Sequence, residues 1–376
     1  MSRFFDLVSK PAREMAGYTP GPPPAVSSNA SQEPLRLIRL DSNENPFGPA
    51  LRALDAMRTA VANSGFYPDD DCSALRQKLA AQQELPVEQV LVTAGSTEMI
   101  SLLCQTLLGT GYNAVTSERS FIVYSLAVHA VGAELREAPM LDDGYDLRAV
   151  YDRIDDYTRL VFLANPNNPT GTIVDADLVE EFLAHVPAHV VVVLDEAYYD
   201  FAMHLAAQRG MMYSRSLDYV RKGASVVVLR TFSKAHGLAG LRIGYGLGPA
   251  ELMAYCARMR NTFSVSSVAQ AAALAAMDDR AHIQRIVAVN AEQTQIVAKS
   301  LAELGYRVTP TYANFLYCDV GSDAGEVARR LREVGVSVRP LGVWGAPNCL
   351  RVSIGTPEQN QAFLKAARTA GIGPRS

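Results

Sequence analysis

From about residue 50 the chain alternates between helical patterns and short, continuously apolar, β-branched runs. Leu91-Val92-Thr93, Leu160–Ala164, Val190–Leu194 and Ser225–Leu229 are four such runs. None alternates apolar with polar residues as a sheet with one wet face would, so they predict strands covered on both faces. Helical stretches lie between them, such as the one from Gly95-Ser96-Thr97-Glu98 through Leu108. Strands alternating with helices predict an α/β fold built on a mostly parallel, helix-flanked sheet. The pattern changes after about residue 280. A long helix, roughly Ala281–Leu304, leads to Tyr306–Pro310, Phe315–Cys318, a helix around Gly325–Gly335, and strands Val336–Val338 and Cys349–Ile354. This tail predicts a smaller α+β domain. Residues 1–34 read as irregular, because Pro20-Gly21-Pro22-Pro23-Pro24 cannot continue a helix. The expected division is an arm and part of the small domain over 1–50, a large domain over 51–280, and a small domain over 281–376.

Composition narrows the function classes. A hydrophobic content of 48% with 20% charged residues describes an ordinary globular chain with a large core. A net charge of −4 argues against a nucleic-acid binder, which needs a basic face. The five cysteines are scattered, with no CxxC pair, and read as buried thiols in a reducing compartment. No apolar run approaches the ~18 residues of a spanning helix, and no leader pattern is visible. A cytoplasmic protein with no membrane partner is expected.

The ends of the four predicted strands carry unusual residues, and ligands in such sheets bind at those ends. Gly95-Ser96-Thr97 precedes a helix and reads as a phosphate cradle or as a plain N-cap. Asn165-Pro166-Asn167-Asn168-Pro169-Thr170-Gly171 reads as a turn, or as a turn that offers an Asn to a ligand. Asp195 follows five apolar residues, where a carboxylate needs a partner; a helix N–H, a buried cation and a pyridinium N–H all qualify. Tyr198 lies three residues on. The fourth run opens into Thr231-Phe232-Ser233-Lys234, with Arg242 eight residues past the lysine. Lys234 has small neighbours and no adjacent carboxylate, which suits a Schiff-base lysine. Taken together, these groups complement pyridoxal 5′-phosphate.

The chain resembles the fold-type-I, pyridoxal-phosphate-dependent aminotransferases, closest to the histidinol-phosphate aminotransferase branch. The strings that carry the likeness are Gly17–Gly21, Asp41-Ser42-Asn43-Glu44-Asn45-Pro46-Phe47-Gly48, Tyr67-Pro68-Asp69, Ala164–Thr172, Asp195–Tyr198, Arg230–Tyr245, Ala313-Asn314-Phe315 and Leu350–Gly355. The resemblance implies Lys234, Asp195 and Tyr198 as catalytic residues. It implies Ser96, Thr97, Thr231, Ser233 and Arg242 on the cofactor phosphate, Asn168 and Tyr198 on the ring hydroxyl, and Phe121 stacked on the ring. Phe121 stands where the branch often has Tyr. Tyr67 is implied to reach the cofactor of a neighbouring subunit, hence a homodimer. Arg351, Arg339, Tyr18 and Asn168 are implied on the substrate.

The reaction expected is transamination between a small amino donor, histidinol phosphate, and 2-oxoglutarate. An aromatic or other amino-acid aminotransferase is the alternative, followed by a pyridoxal-phosphate decarboxylase or lyase. A cofactor-sensing DNA-binding regulator is disfavoured, because only about 50 residues precede the scaffold. His236 reads as packing behind Lys234. Asp69-Asp70-Asp71 and Asp142-Asp143 read as solvated loops or caps rather than metal sites, and no metal is expected. The glycines of 240–248 lack the dinucleotide fingerprint. Trp344, between the two arginines, reads equally as pocket wall and as core.

Overall fold

The four apolar runs become the strands Val90–Thr93, Thr158–Ala164, Val191–Asp195 and Val226–Thr231 of one seven-stranded sheet in the computed structural model, which describes residues 5, 7–14 and 37–369. The spatial order is Val90–Thr93, Gly244–Leu247, Val226–Thr231, Val191–Asp195, Thr158–Ala164, Asn113–Ser117, Glu134–Ala138. Gly244–Leu247 is antiparallel to both neighbours, and every other adjacent pair is parallel.

Continuous hydrophobicity has a direct cause here. Val161, Leu163, Val192, Leu194, Val226 and Val228 enter the core on one face. Leu160, Phe162, Val193, Val227 and Leu229 enter the core on the other. Each such side chain contributes roughly 1.5–3 kcal/mol by leaving water. Gly244–Leu247, with its two glycines, gave no strand signal in the sequence. A Cβ at Gly244 would stand 2.6 Å from the Ser96 amide nitrogen and 2.9 Å from the Arg230 carbonyl. This strand is therefore shaped by the helix start pressed against it rather than by side-chain propensity.

A second sheet has the order Ile38–Leu40, Val336–Leu341, Ala346–Ser353, Phe315–Asp319, Arg307–Thr309. Its first pair is parallel and the rest are antiparallel. Leu316, Cys318, Val336, Val338, Leu350 and Val352 face a separate core closed by Phe363, Leu364 and Ala367. The intervening residues face the large sheet's side of the molecule. Arg339, Arg351 and Tyr317 are register partners across three adjacent strands, so they share that other face. Helix Arg280–Glu303 joins the two parts; Ile286 and Val287 near its start pack on Phe201 and Ala235. Among the described residues no helix is long and apolar enough to cross a membrane.

Candidate active site

The carboxyl ends of the large sheet and the arginine face of the small sheet enclose a cavity of about 690 Å³. Of the described residues selected from the sequence, all but Tyr67 line it. Tyr18 lies outside the described residues. Tyr67 is 82% exposed and stacks on Phe263 with ring centroids 4.6 Å apart, away from this cavity.

Lys234 enters from the loop after Val226–Thr231. Its Nζ donates to the carbonyls of Ser42 at 3.3 Å and Asn43 at 3.1 Å. Burial, aided by Arg351, pushes the amine down to about 7. Much of it is therefore neutral and nucleophilic near pH 7, as Schiff-base chemistry requires. Asp195 ends its strand buried, accepting from the Tyr124 hydroxyl at 2.8 Å and the Ala197 amide at 3.1 Å. Burial outweighs these two neutral donors and raises the carboxyl to about 6. It does not cap the following helix, whose N-cap is Tyr198. The buried ion pair of this strand end belongs to its neighbour: Arg230 meets Glu196 at 2.8 Å and lies 3.6 Å over the Tyr199 ring. Among the described residues no ion pair reaches Asp195, and Lys234 is a cation that acts on it.

The plain N-cap reading of Ser96 and Thr97 does not hold. Gly95 is the N-cap, so Ser96 and Thr97 stand past the cap at the first two positions of helix Ser96–Leu107. Thr231 Oγ1 and Ser233 Oγ are 3.0 Å apart, and Arg242 Nη1 donates to Ser233 Oγ at 3.3 Å and to the Ala239 carbonyl at 2.9 Å. A Cβ on Gly95, whose φ is +80°, would come within 2.5 Å of Arg242 Nη2. Four hydroxyls, a helix start and a guanidinium that, among the described residues, pairs with neutral groups thus line one end of the cavity, with Gly95 at a positive φ beside the guanidinium. That donor set fits a phosphate dianion.

In the Asn-Pro string, Asn165 and Asn167 are structural. Asn165 exchanges two hydrogen bonds with Val174, and Asn167 ties to Thr170, Ser120 and the Arg119 carbonyl. Asn168 alone turns to the cavity, where its Oδ1 accepts from Arg351 Nη1 at 2.6 Å. Arg351 also donates to the Asp41 carbonyl at 2.7 Å, and Arg339 Nε reaches the same oxygen at 3.4 Å. Phe121 precedes helix Ile122–Ala130 and meets Tyr124 edge-on at 5.7 Å. His236 packs on Phe232 at 4.9 Å and is held below its ordinary pKa by burial. Trp344 is on the cavity wall. Asp70, one of the three consecutive acids, is more than a solvated loop residue: it pairs with Arg260 and accepts from the Phe263 amide, tying the Tyr67 segment to the 260–263 segment.

Sequence reasoning missed Tyr124, which holds Asp195, and Asn43, which holds Lys234. Tyr124 carried a usable signal, three residues after Phe121 at the start of a helix. Asn43 carried none: it is the third residue of the polar stretch after strand Ile38–Leu40, and its φ of +55° shows only in the structure.

A model of the family described as aminotransferase class I and II matches residues 36–366. Histidinol-phosphate aminotransferase 2 of Pseudomonas aeruginosa is 41% identical over 367 residues, covering 97% of this chain and 98% of that one. Histidinol-phosphate aminotransferase of Moorella thermoacetica is 40% identical over 333 residues, covering 88% and 85%. The solved histidinol-phosphate aminotransferase of Sinorhizobium meliloti in complex with pyridoxal-5′-phosphate superposes with a TM-score of 0.81 at 29% identity, covering 88% and 90%. Aspartate aminotransferase of Thermus thermophilus with maleate shares the fold, with a TM-score of 0.79 at 23% identity, covering 89% and 92%.

Proposed function

The chain belongs to the class I and II aminotransferases, and on that premise we propose that it carries the amino group of histidinol phosphate to 2-oxoglutarate, in histidine biosynthesis, with pyridoxal 5′-phosphate as its cofactor. It is a transaminase with the type-I aminotransferase fold. The observation that carries the proposal is one cavity in which a lysine lowered to about 7, a buried carboxyl and a phosphate cradle face two arginines from the opposite sheet. The substrate follows from the relatives' names, at up to 41% identity over nearly the whole chain.

Pyridoxal phosphate, when bound, supplies an aldehyde that exchanges amino groups and a ring that accepts electrons as the substrate Cα–H bond breaks. The protein's residues bind, orient and move protons around it. Ser96, Thr97, Thr231, Ser233 and Arg242 would hold the phosphate. Asp195 would face the ring nitrogen and keep it protonated, which in turn settles its own buried charge. Asn168 and Tyr198 would meet the ring hydroxyl, and Phe121 would cover one ring face. Lys234 would anchor the cofactor and, once released as a free amine, would take the proton from substrate Cα and deliver it to the cofactor's C4′ carbon. Arg351 and Arg339 would bind the phosphate of one substrate and the carboxylate of the other, since a guanidinium fork pairs with either.

Tyr67 would serve the neighbouring subunit of a homodimer. Its exposure fits this, as does that of Phe66 (79%) beside it. We assign the two cores to a large domain, 51–280, and a small domain formed by 281–376 with part of 1–50, and a cytoplasmic location. Mixing the cofactor-loaded protein with histidinol phosphate, phenylalanine and tyrosine, and following the cofactor's absorption to its aminated form, tests the proposal. Faster conversion by phenylalanine or tyrosine would replace the substrate, and no conversion by any amine would remove the activity.

A further inference from the structure

Asn43 is the most heavily wired polar residue around the cavity, and the reaction as described gives it no part. It is 1% exposed and sits at φ +55°, a left-handed conformation that Asn tolerates better than most side chains. Its backbone N–H donates to Ser353 Oγ at 2.8 Å. Its Oδ1 accepts from the same Ser353 hydroxyl at 2.9 Å. Its Nδ2 donates to the Tyr198 hydroxyl at 3.0 Å. Its carbonyl accepts from Lys234 Nζ and from Asn314 Nδ2, each at 3.1 Å.

The hydrogen bonds give each group in this cluster a donor or acceptor role. Ser353 Oγ already accepts the Asn43 N–H, so its own proton is available for Oδ1. With Oδ1 on Ser353, Nδ2 is toward Tyr198. Tyr198 then receives a hydrogen bond on oxygen, and its phenolic proton has no acceptor among the described residues. It is free for the cavity, which Tyr198 lines.

We propose that Asn43 is a positioning residue for two reactive groups at once: its carbonyl holds the Lys234 amine, and its side-chain N–H turns the Tyr198 hydroxyl into a donor aimed at the cofactor's ring oxygen. The Tyr198 half rests on the cofactor reading above. Asn43→Gly keeps the positive φ and the carbonyl but leaves a hole, whereas Asn43→Asp keeps the volume and replaces the N–H with an acceptor that captures the phenolic proton. A purely structural role makes Gly the more damaging change; the positioning role makes Asp the more damaging.

The test uses cofactor-free protein, titrated with pyridoxine 5′-phosphate and with its 3-deoxy analogue, which lacks the ring hydroxyl. Wild type should prefer the hydroxylated ligand about tenfold, the worth of one good hydrogen bond. Asn43→Asp should abolish that preference, and Asn43→Gly, which lacks the orienting N–H, should reduce it part-way. A wild-type ratio in Asn43→Asp, or the larger loss in Asn43→Gly, would overturn the assignment. The lysine half is read separately, from the pH dependence of chemical modification of Lys234 in the same protein. The charged groups that act on this amine, Arg351, Glu44, Arg242 and Asp195, are the same in every variant. Loss in Asn43→Gly of the side-chain bonds that fix this carbonyl should lower the midpoint, because the carbonyl accepts from the charged amine, and an unmoved midpoint would overturn that half. If wild type binds neither ligand, the cofactor reading falls and takes the Tyr198 half with it, while the modification curve still decides the lysine half.

Discussion

The two sheets reach the cavity in different ways. The large sheet is apolar on both faces and offers chemistry only where its strands stop, at Asp195, at Thr231 and at the turn before Ser96. The small sheet packs one face on its own core and offers chemistry from the middle of the other, as the paired Arg339 and Arg351 set among buried Phe315 and Tyr317. Strand ends leave backbone N–H groups and tight turns free, which suits a phosphate and a fixed ring. A sheet face displays long side chains side by side, which suits an anion that must be gripped in one half-reaction and let go in the next. On the proposed function, the difference teaches that holding a resident group and holding a passing one would fall to different parts of the fold.

The contrast is broken most severely at the strand-end lysine. Lys234→Ala should lower turnover by more than about 10⁴-fold and remove the visible absorption of the loaded protein; appreciable activity would refute its role. On the small sheet, Arg351→Ala should lower kcat/KM by roughly 10–100-fold for both donor and acceptor, mainly through KM. Steady-state kinetics showing a fall in kcat alone would mean that this face does not grip substrate. Gly95→Ala places a methyl group against Arg242 at a positive φ, so it should weaken cofactor binding by about tenfold while leaving KM for the oxo acid near its original value. Equilibrium dialysis of the cofactor checks this, and an unchanged dissociation constant would remove the cradle.

The smallest effect concerns pH. The Asp195 carboxyl is raised from 3.8 to about 6, so between those values the folded cofactor-free protein binds more protons there than the unfolded chain does. Its contribution to stability therefore falls as pH rises through that window. Asp195→Asn should gain in melting temperature relative to cofactor-free wild type from about pH 4 to 6, and cofactor should erase the difference by supplying a cation. A constant offset across the window would show that the carboxyl is not strained by burial.

The large sheet and its strand-end chemistry were legible because runs such as Val190–Leu194 state their burial in one dimension. The edge strand Glu134–Ala138 and the glycine-bearing Gly244–Leu247 were not, since one is half-wet and the other is defined by what its backbone touches. Arg339 and Arg351 were legible as residues but not as a pair, because their facing register exists only once two strands are aligned. Asn43 was hidden for a stronger reason. Its partner Ser353 is 310 positions away, and no local pattern reports a contact of that span.

That span bears on how the enzyme comes into being. Strand Ile38–Leu40 is made early and must wait for Val336–Val338, which is made near the end, before it has a neighbour. The carbonyls of Asp41, Ser42 and Asn43 follow that strand directly, so the groups that receive Arg351 and Lys234 reach their places only when the two ends of the chain meet. Long-range closure of this kind is slow compared with local folding. A growing chain can carry a finished large sheet and a Lys234 that is not yet held, so the reactive pocket is among the last things the molecule makes.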